Sequence, residues 1–258
     1  MKTDLQVALI QTDLAWEQPQ VNRKNIDVFL GQVEPNTDVV FLPEMFSTGF
    51  TMHPGRVAES MSGVTIQWMQ QWAKKLKSAV AGSLVIEEEG QFYNRFVWVN
   101  NDGTTDYYDK RHRFTLAGED ETYQAGETNG LITFKGWNIC LRICYDLRFP
   151  VWSRNTSNYD LLVYVANWPT PRIHAWDTLL QARAIENMSY TIGVNRIGTD
   201  ANDNVYPGHS AVYDPFGTCM GTAKIKAEVV QITLNKREQE KIRSQFNFLN
   251  DRDSFLLQ

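Results

Sequence analysis

Apolar residues along this chain come in two rhythms. Short, nearly unbroken runs at LQVALIQ (5–11), DVVFLP (38–43), VAGSLVI (80–86), 137–143 and DLLVYVAN (160–167) have the length and continuity of strands covered on both faces. Between them Ile26, Phe29, Leu30 and Val33 keep helical spacing, as do Ile66, Met69, Ala73 and Leu76, with Lys74, Lys75 and Lys77 on the wet side. Further helices are predicted over 148–155, 174–187 and 236–243. FYNRFVWVN (92–100) alternates like a half-buried antiparallel strand, and Asn101-Asp102-Gly103 turns it into TTDYYDK (104–110). Residues 132–134 and 137–143 flank a Lys135-Gly136 turn, and YTIGVNRIG (190–198) is a strand. A polar loop (199–209) leads to SAVYD (210–214), a Pro215-Phe216-Gly217 turn and the strand EVVQITL (228–234). The order β-α-β-α-β, then hairpins, then a similar second half predicts an α/β protein of two packed sheets with helices outside. No composition shift or flexible linker divides the 258 residues, so one domain is expected.

Composition narrows the functions more than the fold. With 43% hydrophobic and 21% charged residues the chain reads as soluble and globular. A net charge of −5 lacks the basic stripe of a nucleic-acid binder, and no apolar run approaches the roughly 20 residues that cross a bilayer. MKTDLQVALIQ turns polar too soon for a secretory signal. Three cysteines, Cys140, Cys144 and Cys219, without CxxC spacing suit neither a disulfide framework nor a zinc site, so a reducing cytoplasm is expected.

Chemistry is expected where buried strands stop. Cys144 ends the run 137–143 and is followed at once by Tyr145, Asp146, Arg148 and Pro150, a strand-to-turn geometry that presents a nucleophile beside the next backbone N–H. A buried cysteine is otherwise a small hydrophobe, so it needs partners. Glu44 closes the strand before it in FLPEMF and is a candidate base. Lys110 ends YYDK and could give an ammonium to a developing oxyanion. Taken singly, Glu44 also reads as a helix cap or solvated charge, and Lys110 as structural.

As a set, FLPEMF, YDKRHRF and ICYDLRFPVW resemble the Glu-Lys-Cys signature of the nitrilase superfamily of carbon–nitrogen hydrolases. The resemblance extends over VANWP (165–169), QARAIEN (181–187) and GHSAVYDPFG (208–217), and within the superfamily it points to the bacterial omega-amidase branch. It implies a four-layer α-β-β-α sandwich, commonly a homodimer paired through the helices, with no metal and no organic cofactor. It implies Cys144 as nucleophile, Glu44 as base, Lys110 with the Tyr145 N–H as oxyanion donors, and a second catalytic glutamate. Glu119 and Glu121 both suit that last role, and Glu119, seven residues before Gly126, is preferred. The implied substrates are small-molecule amides, foremost 2-oxoglutaramate and also succinamate. Their distal carboxylate calls for an arginine, for which Arg113 and Arg172 are the candidates, with Trp168 and Phe114 walling the slot.

Rival readings are distinguishable. A Cys-His-Asp site would use His112 or His209 as base and Asp146 or Asp214 as orienter, but papain-like local motifs are absent and His112 reads as structural. N-carbamoyl or nitrile hydrolysis would use the same three groups, and a non-catalytic binding protein would have no need of all three. Arg183 and Glu186 suit an intrahelical ion pair, and Asp146 and Arg148 read as supports for the cysteine turn.

Overall fold

Strands apolar on both faces need cover on both faces, and the computed structural model, which describes residues 4–256, supplies it from two sources. In chain order the elements are β1 (Asp4–Gln11), α1 (Pro19–Leu30), β2 (Val39–Phe41), α2 (Val64–Leu76), β3 (Ala79–Glu88), β4 (Gln91–Val99) and β5 (Thr105–Asp109). They continue as α3 (Glu119–Thr122), β6 (Leu131–Phe134), β7 (Trp137–Ile143), α4 (Pro150–Ser153), β8 (Leu161–Ala166), α5 (Ile173–Asn187) and β9 (Tyr190–Asn195). The last are β10 (Ile197–Thr199), β11 (Val205–Pro207), β12 (Ala211–Tyr213), β13 (Cys219–Thr222), β14 (Glu228–Asn235) and α6 (Lys236–Phe246).

Two six-stranded sheets result, ordered β14-β1-β2-β3-β4-β5 and β13-β12-β9-β8-β7-β6. In each, three parallel strands sit at the centre and antiparallel strands extend both sides. Alternation along β1 shows the layering. Leu5, Val7 and Leu9 meet Ile139, Leu141, Val163 and Val165 between the sheets, while Ala8 and Ile10 join Ile26, Leu30, Ile66 and Met69 under α1 and α2. On the far side Trp176, Leu180 and Ala184 of α5 cover Leu162, Tyr164 and Ala166 of β8. This is the expected α-β-β-α sandwich.

Three local expectations change. The strand expected over 190–198 breaks at Arg196, where Gly198 adopts φ +88° and Arg196 turns inward to full burial. The polar loop expected over 199–209 is instead the two-stranded ribbon β10–β11, too poor in apolar residues to announce itself. The helix expected over 148–155 shrinks to a 3-10 turn at Cys144–Arg148 and the single turn of α4. Lys135 and Gly136 form the turn of the β6–β7 hairpin with φ of +49° and +80°, the two positive values that a tight hairpin requires. The Arg183–Glu186 pair forms at 3.0 Å. Among the described residues no helix is long and apolar enough to cross a membrane.

One close approach matters to the site. The Gly126 N–H donates to the Lys110 carbonyl at 3.0 Å, and a Cβ on Gly126 would lie 2.0 Å from the Asp109 carbonyl oxygen. Backbone cannot yield as a side chain does. Gly126→Ala is therefore expected to cost about 2 kcal/mol or more by overpacking, read as a lowered urea midpoint, with activity falling further because Lys110 is displaced.

Candidate active site

Three strand ends converge. β7 delivers Cys144 in a backbone conformation that side-chain-bearing residues avoid, φ +43°, which turns the thiol out of the strand line. Asp146 holds this elbow: its carboxylate accepts from the Ile143 N–H (3.0 Å), the Tyr108 hydroxyl (2.7 Å) and the His112 N–H (3.0 Å), and pairs with His112 Nδ1 at 2.8 Å. Burial would raise the Asp146 pKa, but His112, Arg142 and the Ile143 N–H hold it below the usual carboxylate range. The expected support role of Asp146 is thus what the geometry displays.

β5 delivers Lys110, and the preceding Asp109 is clamped by Arg95 through bonds of 2.7 and 2.9 Å. The Lys110 ammonium donates to Glu44 Oε1 at 2.9 Å and to both oxygens of Glu119 at 3.0 and 2.9 Å. Both carboxylates are fully buried. Glu119 is positioned by a short loop in which its Oε2 accepts the Phe114 N–H at 2.6 Å, whereas Glu121 is exposed. Of the two glutamates, Glu119 meets the Lys110 ammonium and Glu121 faces solvent.

Two asparagines add further donors to these carboxylates. Asn94 Nδ2 bridges Glu44 Oε1 (2.8 Å) and Glu119 Oε1 (3.1 Å), while its own oxygen accepts from Ser83 Oγ at 2.9 Å. At the end of β8 the Asn167 N–H donates to Glu44 Oε2 at 2.8 Å and Asn167 Nδ2 to the Glu44 carbonyl at 2.7 Å. Cys144 Sγ lies 4.0 Å from the Asn167 carbonyl oxygen. Neither asparagine was singled out from sequence for this role. Their signal is a polar residue inside a buried stretch, Asn94 in FYNRFVWVN and Asn167 closing DLLVYVAN.

Electrostatics follow from two anions sharing one cation without water. Burial alone would lower the Lys110 pKa, but Glu119 and Glu44 outweigh it and raise it, so the ammonium stays charged. Burial raises Glu119, with Glu44 adding to the rise and Lys110 opposing it. Cys144 is pushed well above the usual thiol range, by burial first and then by Glu44, despite Lys110. The resting site holds a neutral thiol beside a carboxylate.

Above these groups opens a cavity of ≈ 550 Å³. Glu44, Lys110, Cys144, Tyr145, Phe114, Trp168 and Arg172 all line it. Arg113 does not. Its guanidinium donates to the carbonyls of Asp120 and Tyr123, at 3.2 and 3.1 Å, and so braces the loop that carries Glu119 instead of facing a substrate. Arg148, expected to support the turn, instead lines the cavity with its guanidinium 5.2 Å over the Trp168 ring. His112 stacks on Phe149 at 3.7 Å outside the lining, and His209 pairs with Asp177 at 3.0 Å, so neither histidine meets the thiol. Residues 200–206 of the β10–β11 ribbon supply a rim that the sequence did not announce.

Asn94→Asp tests the charge balance. A third carboxylate in this sealed ring is expected to cost about 3 kcal/mol or more at neutral pH, as an uncompensated buried charge does. Its folded-state pKa would be raised, so the penalty relative to the parent protein shrinks as pH falls and the new acid protonates. Paired urea melts at pH 5 and 8 measure this, and a penalty independent of pH would refute it.

Comparison with known proteins fits this architecture. Residues 6–243 match the family model for carbon-nitrogen hydrolases. The chain is 41% identical over 254 residues to omega-amidase YafV of Yersinia enterocolitica, covering 98% of each protein. It is 30% identical over 250 residues to 2-oxoglutaramate amidase of Bacillus subtilis, covering 95% of this chain and 96% of the relative. The crystal structure of XC1258 from Xanthomonas campestris, described as a CN-hydrolase superfamily protein with an arsenic adduct in its active site, superposes with a TM-score of 0.96 at 38% identity over 99% of each chain. The protein belongs to the carbon–nitrogen hydrolase family.

Proposed function

We propose that this protein is an omega-amidase, hydrolysing the terminal amide of a short dicarboxylic acid monoamide such as 2-oxoglutaramate to the dicarboxylate and ammonia through a thioester on Cys144. One observation carries the reading. The thiol shares its cavity with two guanidinium groups, Arg148 and Arg172, that make no hydrogen bond or ion pair with any described residue. Arg172 stacks 4.9 Å over Phe114 and Arg148 5.2 Å over Trp168, so both are held by rings and left with free donors. On a chain of net charge −5, two unpaired cations beside a nucleophile suit a carboxylate-bearing substrate. A nitrile or a carbamoyl group gives them no anion unless another part of the substrate supplies one. The relatives named omega-amidase and 2-oxoglutaramate amidase support the same reading.

The mechanism follows from the proton inventory. Because the thiol is neutral at rest, its proton moves to Glu44 as sulfur attacks the amide carbon. The oxyanion forms beside the Lys110 ammonium and the Tyr145 N–H. Glu44 returns the proton to the departing nitrogen, ammonia leaves, and Glu44 then activates the water that cleaves the thioester. Glu119 touches only the far side of this cycle, keeping the ammonium charged and in place.

Purified protein is expected to release ammonia from 2-oxoglutaramate and succinamate. Parent protein acid-quenched during turnover should carry an acyl group on the Cys144 peptide by mass spectrometry, Glu44→Gln should carry none from the same amide, and an adduct on a different residue would sink the assignment. Arg148→Met and Arg172→Met should each raise KM for 2-oxoglutaramate about tenfold or more, the scale of a lost charge-assisted bond, with kcat changing far less. Unchanged KM in both would remove the arginines from carboxylate recognition.

A further inference from the structure

The cavity is larger and more aromatic than a short monoamide requires. 2-Oxoglutaramate has about ten non-hydrogen atoms, and granting each the roughly 30 Å³ that a water occupies in the liquid fills only about 300 Å³ of the ≈ 550 Å³ present. Trp16 from the loop after β1, Phe50 and Met52 from the loop after β2, and Tyr206 from β11 share the lining, with the Phe50 ring 5.2 Å from the Lys110 ammonium. Leu116, 81% exposed, stands at the rim. An almost wholly polar substrate has nothing to bury against these side chains, whereas an apolar ligand group does.

This wall is built firmly. Arg196, fully buried, lies 4.7 Å over the Tyr206 ring and donates to the Leu14 carbonyl at 3.0 Å and to Asp13 at 2.7 Å. A Cβ on Gly49 would sit 3.4 Å from both the Trp16 ring and Arg196 Nη1, so backbone packs directly against the pair. Glu44 is fully buried with both oxygens engaged by Lys110, Asn94 and Asn167, and the departing nitrogen must reach it. A substituent on the departing nitrogen would crowd this engaged carboxylate, so added bulk belongs on the acyl chain.

Building on the omega-amidase reading, we propose that Trp16, Phe50, Met52, Tyr206 and Leu116 form a subsite for an apolar branch on the acyl chain, so that the preferred substrates are primary monoamides of branched or aryl-substituted dicarboxylic acids. The test compares kcat/KM for glutaramate, 3-phenylglutaramate and N-benzylglutaramate in the parent protein, Trp16→Ala and Leu116→Asn. The 3-phenyl to glutaramate ratio is expected to exceed one, by about tenfold for burial of a ring, and to fall in both variants. Leu116→Asn changes a rim residue already in solvent, so its fold is retained even where Trp16→Ala proves unstable. N-Benzylglutaramate is expected to react at least a hundredfold more slowly than glutaramate. A ratio at or below one, a ratio that Leu116→Asn and a folded Trp16→Ala both leave unchanged, or faster turnover of the N-benzyl amide overturns the subsite. Failure to hydrolyse glutaramate and 2-oxoglutaramate at all would overturn the underlying reading as well.

Discussion

Everything in the site depends on one buried ammonium shared between two buried carboxylates. Lys110, Glu44 and Glu119 are each almost wholly buried, and removing either sign from such a group leaves an uncompensated charge worth about 3–5 kcal/mol. The protein meets this constraint with neutral donors. Asn167 fills the Glu44 oxygen that the ammonium leaves open, Asn94 bridges the two carboxylate oxygens that share it, and Arg95 pins Asp109 so that Lys110 cannot withdraw. The arrangement keeps the cation charged, while burial first and then Glu44 hold the Cys144 thiol well above its usual range.

The fold explains why these groups meet. Ligand sites in open α/β sheets lie beyond the carboxyl ends of the strands. Here β2 and β7 lead from their carboxyl ends into Glu44 and Cys144, and β8 into Asn167, while β5, antiparallel to β4 and so running the same way as β2, ends on the same side with Lys110. Packing the two sheets face to face brings the ends of one over the ends of the other, so the Glu44 carboxylate of one sheet shares a cavity with the Cys144 thiol of its neighbour. The elbow at Cys144 stores about 1 kcal/mol or more of backbone strain, which the four contacts to Asp146 offset.

What could be read from residues alone follows a simple division. Strand ends were legible because continuous apolar runs stop visibly, and Glu44, Lys110 and Cys144 all stand at such stops. Side-chain direction just beyond a stop was not legible, because turns have no period. That is why Arg113 read as a substrate ligand yet braces a loop, and why Arg148 read as a brace yet lines the cavity. Glu119 and Glu121 lie two apart on one short turn, and only burial distinguishes them. Asn94 and Ser83 were hidden for another reason: a polar residue in an alternating strand looks solvent-facing until a second element covers it. The β10–β11 ribbon has too few apolar residues to show a strand pattern, and it is held by Asp200 accepting from Tyr206 and Asn204.

The pairing of β1 with β14 joins Asp4 to Asn235 and runs in unbroken register to Gln11 opposite Glu228. During synthesis β1 emerges early, yet one of its two edges has no partner until residues 228–235 have left the ribosome. The sheet that carries Glu44 is thus among the last parts to close, by a contact of very long sequence separation, and such contacts slow folding and leave an open edge in the meantime. A nascent chain stalled short of β14 would present that edge to its neighbours on the polysome, which makes translation pace and chaperone access part of what this architecture demands of its host.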